Sequence, residues 1–516
     1  MPILNWLGKD KVINHHQEVP YRVLEKSYTH GAENSGNMII HGDNLDALKA
    51  LLPKYEGRVK CIYIDPPYNT GNEGWVYNDN VNDPRIRKWL GEVVGKEGED
   101  LSRHDKWLCM MYPRLRLLQK LLADDGAIFI SIDDNEQANL RLICDEIFGS
   151  SCYITDAVWR NSDNSNNNAL VFSEDFNHTI IYSKSKGWRP NYINDDNKRK
   201  HFKNPTNDPR GPWFDGNPVN NPGWRPNLQF DITTPSGKII HHPTNGWRWS
   251  MDTIREKMGT GEIRFSDDEA RLIRRTYLRE MEGLPPSNLW IDLELTSHTR
   301  RAKNELKRIF PEIKTVDLFS TPKPTGLIEY ILSIATNDGD LVLDSFAGSG
   351  TTAHAVLNMN KRDGGNRQFI LVEMMDYAET ITAERVRRVM DGYGDTPGTD
   401  GGFDYYELGE ALMLEDGNLN EAVDTDKIRE YIWYMETRAA HTPQAAPYLL
   451  GTMAGAAYYF YYEREGVTTL NTDFLARIGT WAERYIIYAD RCALSDDELK
   501  RYGITFKKIP RDIAKL

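Results

Sequence analysis

Short apolar runs and longer helical stretches alternate along much of this chain. The runs at 38–41, 59–64, 126–132, 341–344 and 369–373 are too short for helices and rich in Ile, Val, Leu and Phe, so they predict strands. Between them, the stretches beginning near 45, 107, 136, 326, 351 and 376 space their apolar residues three and four apart, and predict helices ending near 52, 122, 148, 335, 359 and 390. Asn44 is placed to cap the first of these, because its side chain can take an orphan backbone N–H. Strand and helix in alternation predict an α/β fold with a parallel sheet and helices on its faces.

The texture breaks in three places. Residues 71–105 are polar and Gly-rich and predict a long loop beside an active site. From 157 to 320 the alternation stops. Residues 161–168 are nearly all Asn, Ser and Asp, residues 204–227 are rich in Pro, Gly and Trp, and residues 232–242 predict a hairpin turning at Pro235-Ser236-Gly237. Seven of the thirteen tryptophans lie between Trp159 and Trp290, which marks this stretch as an inserted domain. A Gly-rich linker at 391–402 precedes a mixed, aromatic-rich remainder with helix-like stretches at 426–438 and 473–488. The expected domains are 1–156, 157–320, 321–391 and 392–516, with the first and third forming one body.

Length and composition suit a globular protein of two or three domains. No apolar run reaches the ~18 residues of a membrane span, and the N-terminus shows no secretory pattern, so no membrane association is expected. Five scattered cysteines, an odd number without a C-x-x-C pair, predict a reducing, cytoplasmic compartment. The net charge of -13 disfavours a protein that coats nucleic acid. Its distribution changes that picture: residues 157–320 carry roughly +4 and residues 392–516 roughly -8. A basic middle in an acidic chain fits a local nucleic-acid face.

Two strand ends carry chemistry. Asp65-Pro66-Pro67-Tyr68 follows the run 59–64. Two prolines hold the turn rigid, so the Asp65 carboxylate and the Pro66 carbonyl can point at one spot. Two acceptors gripping the hydrogens of an exocyclic base amine favour a pyramidal nitrogen and free its lone pair. Tyr68 can stack on a base turned out of a duplex. Asp344-Ser345-Phe346-Ala347-Gly348-Ser349-Gly350 follows the run 341–343 and opens a helix at Thr351. Its glycines allow close approach of a ligand, and the helix N–H groups face the turn. The spacing fits dinucleotides and triphosphates poorly. Phe346 offers a face to an adenosine or a sulfonium, and Glu373, at the next strand end, is placed for two ribose hydroxyls. Asp43 can border the target base, border the cofactor, or cap a helix. Ser320-Thr321-Pro322-Lys323-Pro324 is a loop that closes over a cofactor or a Pro-rich boundary. His241-His242 has no second ligand pair at suitable spacing, so no metal is expected.

The order of these motifs around a basic insert resembles the β-class amino methyltransferases of DNA. The closer likeness is to the modification subunit of type III restriction-modification systems. It rests on His41 to Leu48, Tyr63 to Asn72, Thr321-Pro322-Lys323-Pro324, Leu343 to Thr352, Tyr405 to Gly409 and Lys508 to Ile513. The resemblance implies a Rossmann-like methyltransferase domain, an inserted target-recognition domain and a C-terminal α/β accessory region. It implies S-adenosylmethionine as cofactor and, because Asp goes with adenine in this family, transfer to adenine N6 of double-stranded DNA. Asp65, Pro66, Pro67 and Tyr68 then form the catalytic motif. Lys323, Asp344, Phe346, Gly348, Ser349, Gly350, Thr351 and Glu373 bind cofactor, and Asp43, Tyr68, Arg225 and Arg248 contact substrate. A homodimer and a helicase–nuclease restriction partner are expected. The rival readings are the same chemistry on RNA or a protein amide, and a specificity subunit that mainly recruits such a partner.

Overall fold

The computed structural model describes residues 3–70, 88, 103–165, 171–193, 199–205, 207–217, 219–281, 283–414, 416–510 and 513. The loop expected at 71–105 lies outside the described residues as far as 102, apart from residue 88, and its last three residues already belong to a helix.

Ten strands form the main sheet: β1 (Arg22–Gly31), β2 (Met38–His41), β3 (Val59–Ile64), β4 (Leu122–Ile132), β5 (Tyr153–Arg160), β6 (Phe176–Ser183), β7 (Leu289–Trp290), β8 (Leu341–Asp344), β9 (Gln368–Glu373) and β10 (Gly402–Ala411). Their order is β1-β10-β2-β9-β8-β3-β4-β6-β5-β7. The six central strands from β10 to β4 are mutually parallel. β1 and β6 run antiparallel to their neighbours on either flank. Apolar residues on both faces suit strands covered on both sides, and every residue of β8 is buried, as are all but the first of β9. The main covering helices are α1 (Asn44–Tyr55), α2 (Arg103–Leu121), α3 (Thr325–Ala335) and α4 (Thr351–Asp363).

The chain leaves β3 for β4 on one side and leaves β8 for β9 on the other. β3 and β8 are themselves neighbours, paired at Val342↔Cys61 and Leu343↔Ile62. This is the point where the strand order reverses, and it opens a crevice at the strands' C-terminal ends. Both sequence motifs leave the sheet there.

Contacts divide the chain into two compact units, residues 1–189 with 287–516, and residues 190–286. The second unit is therefore narrower than the insert expected at 157–320, because Tyr153–Arg160, Phe176–Ser183 and Leu289–Trp290 pair into the main sheet. Within it lie a three-stranded sheet (Trp213–Asn217, Ile263–Phe265, Leu272–Tyr277), a helix (Met251–Gly259) and the hairpin Ile232–Thr233 with Ile239–Ile240, turning where the sequence placed it. Ile232, Ile240, Trp247, Ile254, Ile263 and Leu272 form its core. In the first unit the C-terminal region contributes β10, a helix (Thr425–Thr437) and a four-stranded sheet (Leu449–Met453, Ala456–Phe460, Arg484–Ala489, Ile504–Lys508).

Two local expectations are corrected. Asp43, not Asn44, caps α1, its carboxylate accepting from the Leu45 N–H at 2.8 Å. The stretch 473–488 holds only a short helix (Thr472–Leu475), and its end is strand Arg484–Ala489 between two parallel partners. Ile486, Ile487 and Tyr488 suit a strand as well as a helix, and tertiary pairing decides.

Leu343 lies fully buried in β8. Leu343→Ala is expected to cost about 2–5 kcal/mol, read as a lower urea midpoint, whereas Leu414→Ala at an exposed site should shift it little. Equal small shifts in both variants would contradict this placement of the core.

Candidate active site

The crevice between β3 and β8 holds a cavity of about 340 Å³ lined by both motifs, including Asp65, Pro66, Pro67, Tyr68, Lys323, Asp344, Phe346, Gly348, Ser349, Thr351 and Glu373. Residues some 280 positions apart in the sequence thus share one space.

On the β3 side, Trp107 of α2, itself fully buried, donates its indole N–H to the Pro67 carbonyl at 2.7 Å. Asn69 follows with a φ of 60°. Its side-chain amide donates to Glu136 and to the Arg103 carbonyl at 3.1 Å. Glu136 is fully buried and also pairs with His104 at 2.7 Å and accepts from Asn139 at 2.8 Å. A non-glycine residue in the left-handed region is held by its partners, so this network fixes the turn after Tyr68. Nothing in the spacing of Trp107 or Glu136 distinguished them from ordinary helix residues. The Tyr68 hydroxyl is buried without a hydrogen-bond partner among the described residues. Burial, then the charge of Asp65, push this phenol well above its usual range.

On the β8 side, Asp344 and Glu373 are almost completely buried. Asp344 accepts from the Phe346 N–H at 3.0 Å and the Thr352 hydroxyl at 2.5 Å. Glu373 accepts from the N–H groups of Gly348 at 2.8 Å and Met375 at 3.0 Å. Burial outweighs these bonds and raises each carboxyl to about 7. Gly348 has a φ of 52°, and a Cβ there would stand 3.1 Å from the ring of Phe319, which also lines the cavity. Gly350 lies outside the lining, at the N-terminal end of α4 with a φ of 77°. Phe319 and Trp159, another lining residue, had no motif to mark them.

Two contacts join the sides. The side-chain amide of Asn44 donates to the Ser345 carbonyl at 3.2 Å, while its oxygen accepts from the buried Arg114. The Lys323 ammonium lies 2.8 and 2.7 Å from the two carboxylate oxygens of Asp65 and over the Tyr68 ring, 4.9 Å from its centroid. Lys323 therefore reaches the first motif. Asp43 does not line the cavity; besides capping α1 it pairs with Arg114 at 3.4 Å. Arg225 and Arg248 are exposed residues of the unit 190–286.

A cavity between an Asp-Pro-Pro-Tyr turn and a Gly-rich turn, at a strand-order reversal, lies where open α/β sheets bind their ligands. Residues 59–384 match the profile of a family described as DNA methylase, and the chain belongs to that family. It is similar to the Mod subunit of the type III restriction-modification enzyme EcoP15I from Escherichia coli, 34% identical over 430 residues, 72% of this chain and 64% of that protein. It is equally similar to the StyLTI Mod subunit from Salmonella typhimurium strain LT2, 34% identical over 390 residues, 71% of this chain and 57% of that protein. The type II methyltransferase M.KpnI from Klebsiella pneumoniae is 30% identical over 360 residues, 66% of this chain and 81% of that protein. The chain thus spans less than two thirds of the length of these type III relatives.

The raised carboxyls carry a pH signature. Between about pH 4 and pH 7 the folded chain keeps protons on Asp344 and Glu373 that the unfolded chain has lost. Each group therefore contributes stability that is full at low pH and lost as pH rises through about 7. Asp344→Asn removes one contributor. From pH 5 to pH 7.5 the wild type is expected to lose about 1–3 kcal/mol relative to this variant in urea unfolding. A gap that stays constant with pH would contradict the burial of Asp344.

Proposed function

We propose that the protein transfers a methyl group from S-adenosylmethionine to adenine N6 at specific sites in duplex DNA, as the modification subunit of a type III restriction-modification system. The observation that carries this reading is the shared cavity in which Asp65 and Tyr68 face the Gly348 turn and Glu373. Bound S-adenosylmethionine supplies an electrophilic methyl group on a sulfonium.

The residues present fit that cofactor. Glu373 accepts from the backbone N–H groups of Gly348 and Met375 and lines the cavity, where a vicinal diol can reach its carboxyl group. The buried Ser345 hydroxyl has no hydrogen-bond partner among the described residues and lines the same cavity. Phe346 supplies an apolar wall. Across from it, Asp65 and the Pro66 carbonyl accept the N–H groups of the target amine and stabilise the positive charge that develops on nitrogen. Tyr68 holds the extruded base by stacking. Holding both reactants in one small cavity supplies much of the rate. Asp at position 65 supports adenine as the base, in keeping with the family resemblance.

The unit 190–286 reads the target in this account. Its exposed Trp224, Arg225 and Arg248 suit contacts with base edges and phosphates. A homodimer and a restriction partner complete the proposal, the partner supported by the similarity to subunits of type III restriction-modification enzymes. A cytoplasmic location agrees with five free thiols. Among the described residues no helix is long and apolar enough to cross a membrane.

Long-read modification sequencing of DNA from cells expressing the chain tests this. N6-methyladenine at one sequence motif is expected, and none with Asp65→Ala, whose affinity for S-adenosylmethionine should stay within about threefold on calorimetry because it leaves the β8 side intact. Gly348→Asp places a second carboxylate beside Glu373 and should abolish cofactor binding. Full methylation by the Asp65 variant would sink the assignment. Marks in RNA alone would transfer it to the rival substrate.

A further inference from the structure

We infer that Lys323 belongs to the target-base subsite, where its ammonium stands in for the exocyclic amine of the target until a base displaces it. The inference rests on the methyltransferase reading above and adds a step to it.

The ammonium donates to both carboxylate oxygens of Asp65, at 2.8 and 2.7 Å, and lies over the face of Tyr68. An amine on a base stacked against Tyr68 presents N–H donors to the same oxygens. The base and the ammonium cannot occupy that space together, so entry of one requires departure of the other. Both side chains of the pair are largely withdrawn from water, Lys323 at 12% exposure and Asp65 at 24%. An unpartnered carboxylate there is costly, and Lys323 supplies a partner while no base is bound.

The local structure permits exchange by side-chain motion alone. Pro322 and Pro324 restrict the backbone on either side, and the Thr351 hydroxyl donates to the Lys323 carbonyl at 3.1 Å. The four-carbon stem can swing while its anchor stays fixed, as rotamer changes do. Closed and open sites are then two populations, and the affinity for an extruded base is reduced by the fraction of time the site is closed.

This sets a direction opposite to the usual effect of removing a positive charge from a DNA-binding enzyme. The measurement is duplex binding with S-adenosylhomocysteine present, using the methylation site found by sequencing. A second duplex carries an abasic residue at the target position and needs no displacement. Lys323→Met should bind the adenine duplex about three- to tenfold tighter, relative to its effect on the abasic duplex. Lys323→Ala should do the same and serves if the methionine variant fails to fold. Equal effects on both duplexes, or weaker binding confined to the adenine duplex, would overturn the inference while leaving methylation by the wild type intact. A wild type that methylates no DNA would overturn the underlying reading as well.

Discussion

The pairing of β3 with β8 is the constraint on which the site depends. Ile62 and Leu343 lie 281 positions apart, yet they are partners in one parallel ladder. That register brings the ends of the two strands to the same height. Each strand sends its chain away to a different side, so the space above them is left open. Asp65 and Asp344 thus border one cavity without any direct bond between them. Asn44, supported by the buried Arg114, ties the end of β8 to the start of α1 and keeps the crevice in shape.

The cavity also carries an electrostatic cost. Asp344 and Glu373 are buried, and hydrogen bonds from Phe346, Thr352, Gly348 and Met375 do not fully offset their desolvation. Such groups are kept where a ligand can supply what the protein withholds. On the facing side, Asp65 is relieved by a residue from a loop between two other elements. The two halves therefore differ in kind. One is held by backbone and hydroxyl donors, and the other by the ammonium of a long side chain.

Rigidity on the Asp65 side comes from behind the site. Trp107 holds the Pro67 carbonyl, and Glu136 gathers Asn69, His104 and Asn139 around one carboxylate. A fully buried glutamate with several donors is a positioning device, since its removal would leave those donors unpaired. The C-terminal region supports the same unit. β10 extends the sheet beside β2, and Tyr431 packs on Tyr21 with ring centroids 4.6 Å apart.

The sequence by itself determined five of the six central strands and the helices between them, because burial on both faces of a parallel sheet demands unbroken apolar runs and helices demand their own spacing; β10, only partly buried and rich in polar residues, was not legible. β8 ends at Asp344 as read, and α3 and α4 begin within a residue of expectation. It also identified the two turns, since rigid prolines and close-approach glycines are local properties. Local properties did not identify residues that act from a distance. Phe319 looks ordinary until the fold brings it to the cavity, and Trp107 and Glu136 until it brings them behind the Pro67–Asn69 turn. Asp43 took the cap that Asn44 also suited, because Asn44 was needed by Ser345 and Arg114. The stretch 484–489 became a strand because partners stood on both sides. The extent of the separate unit, 190–286, followed from which strands joined the large sheet. Lys323 could be read as a loop residue near a cofactor; only the tertiary structure set its charge on Asp65, because an ion pair between residues 258 positions apart is decided by geometry that no local pattern contains.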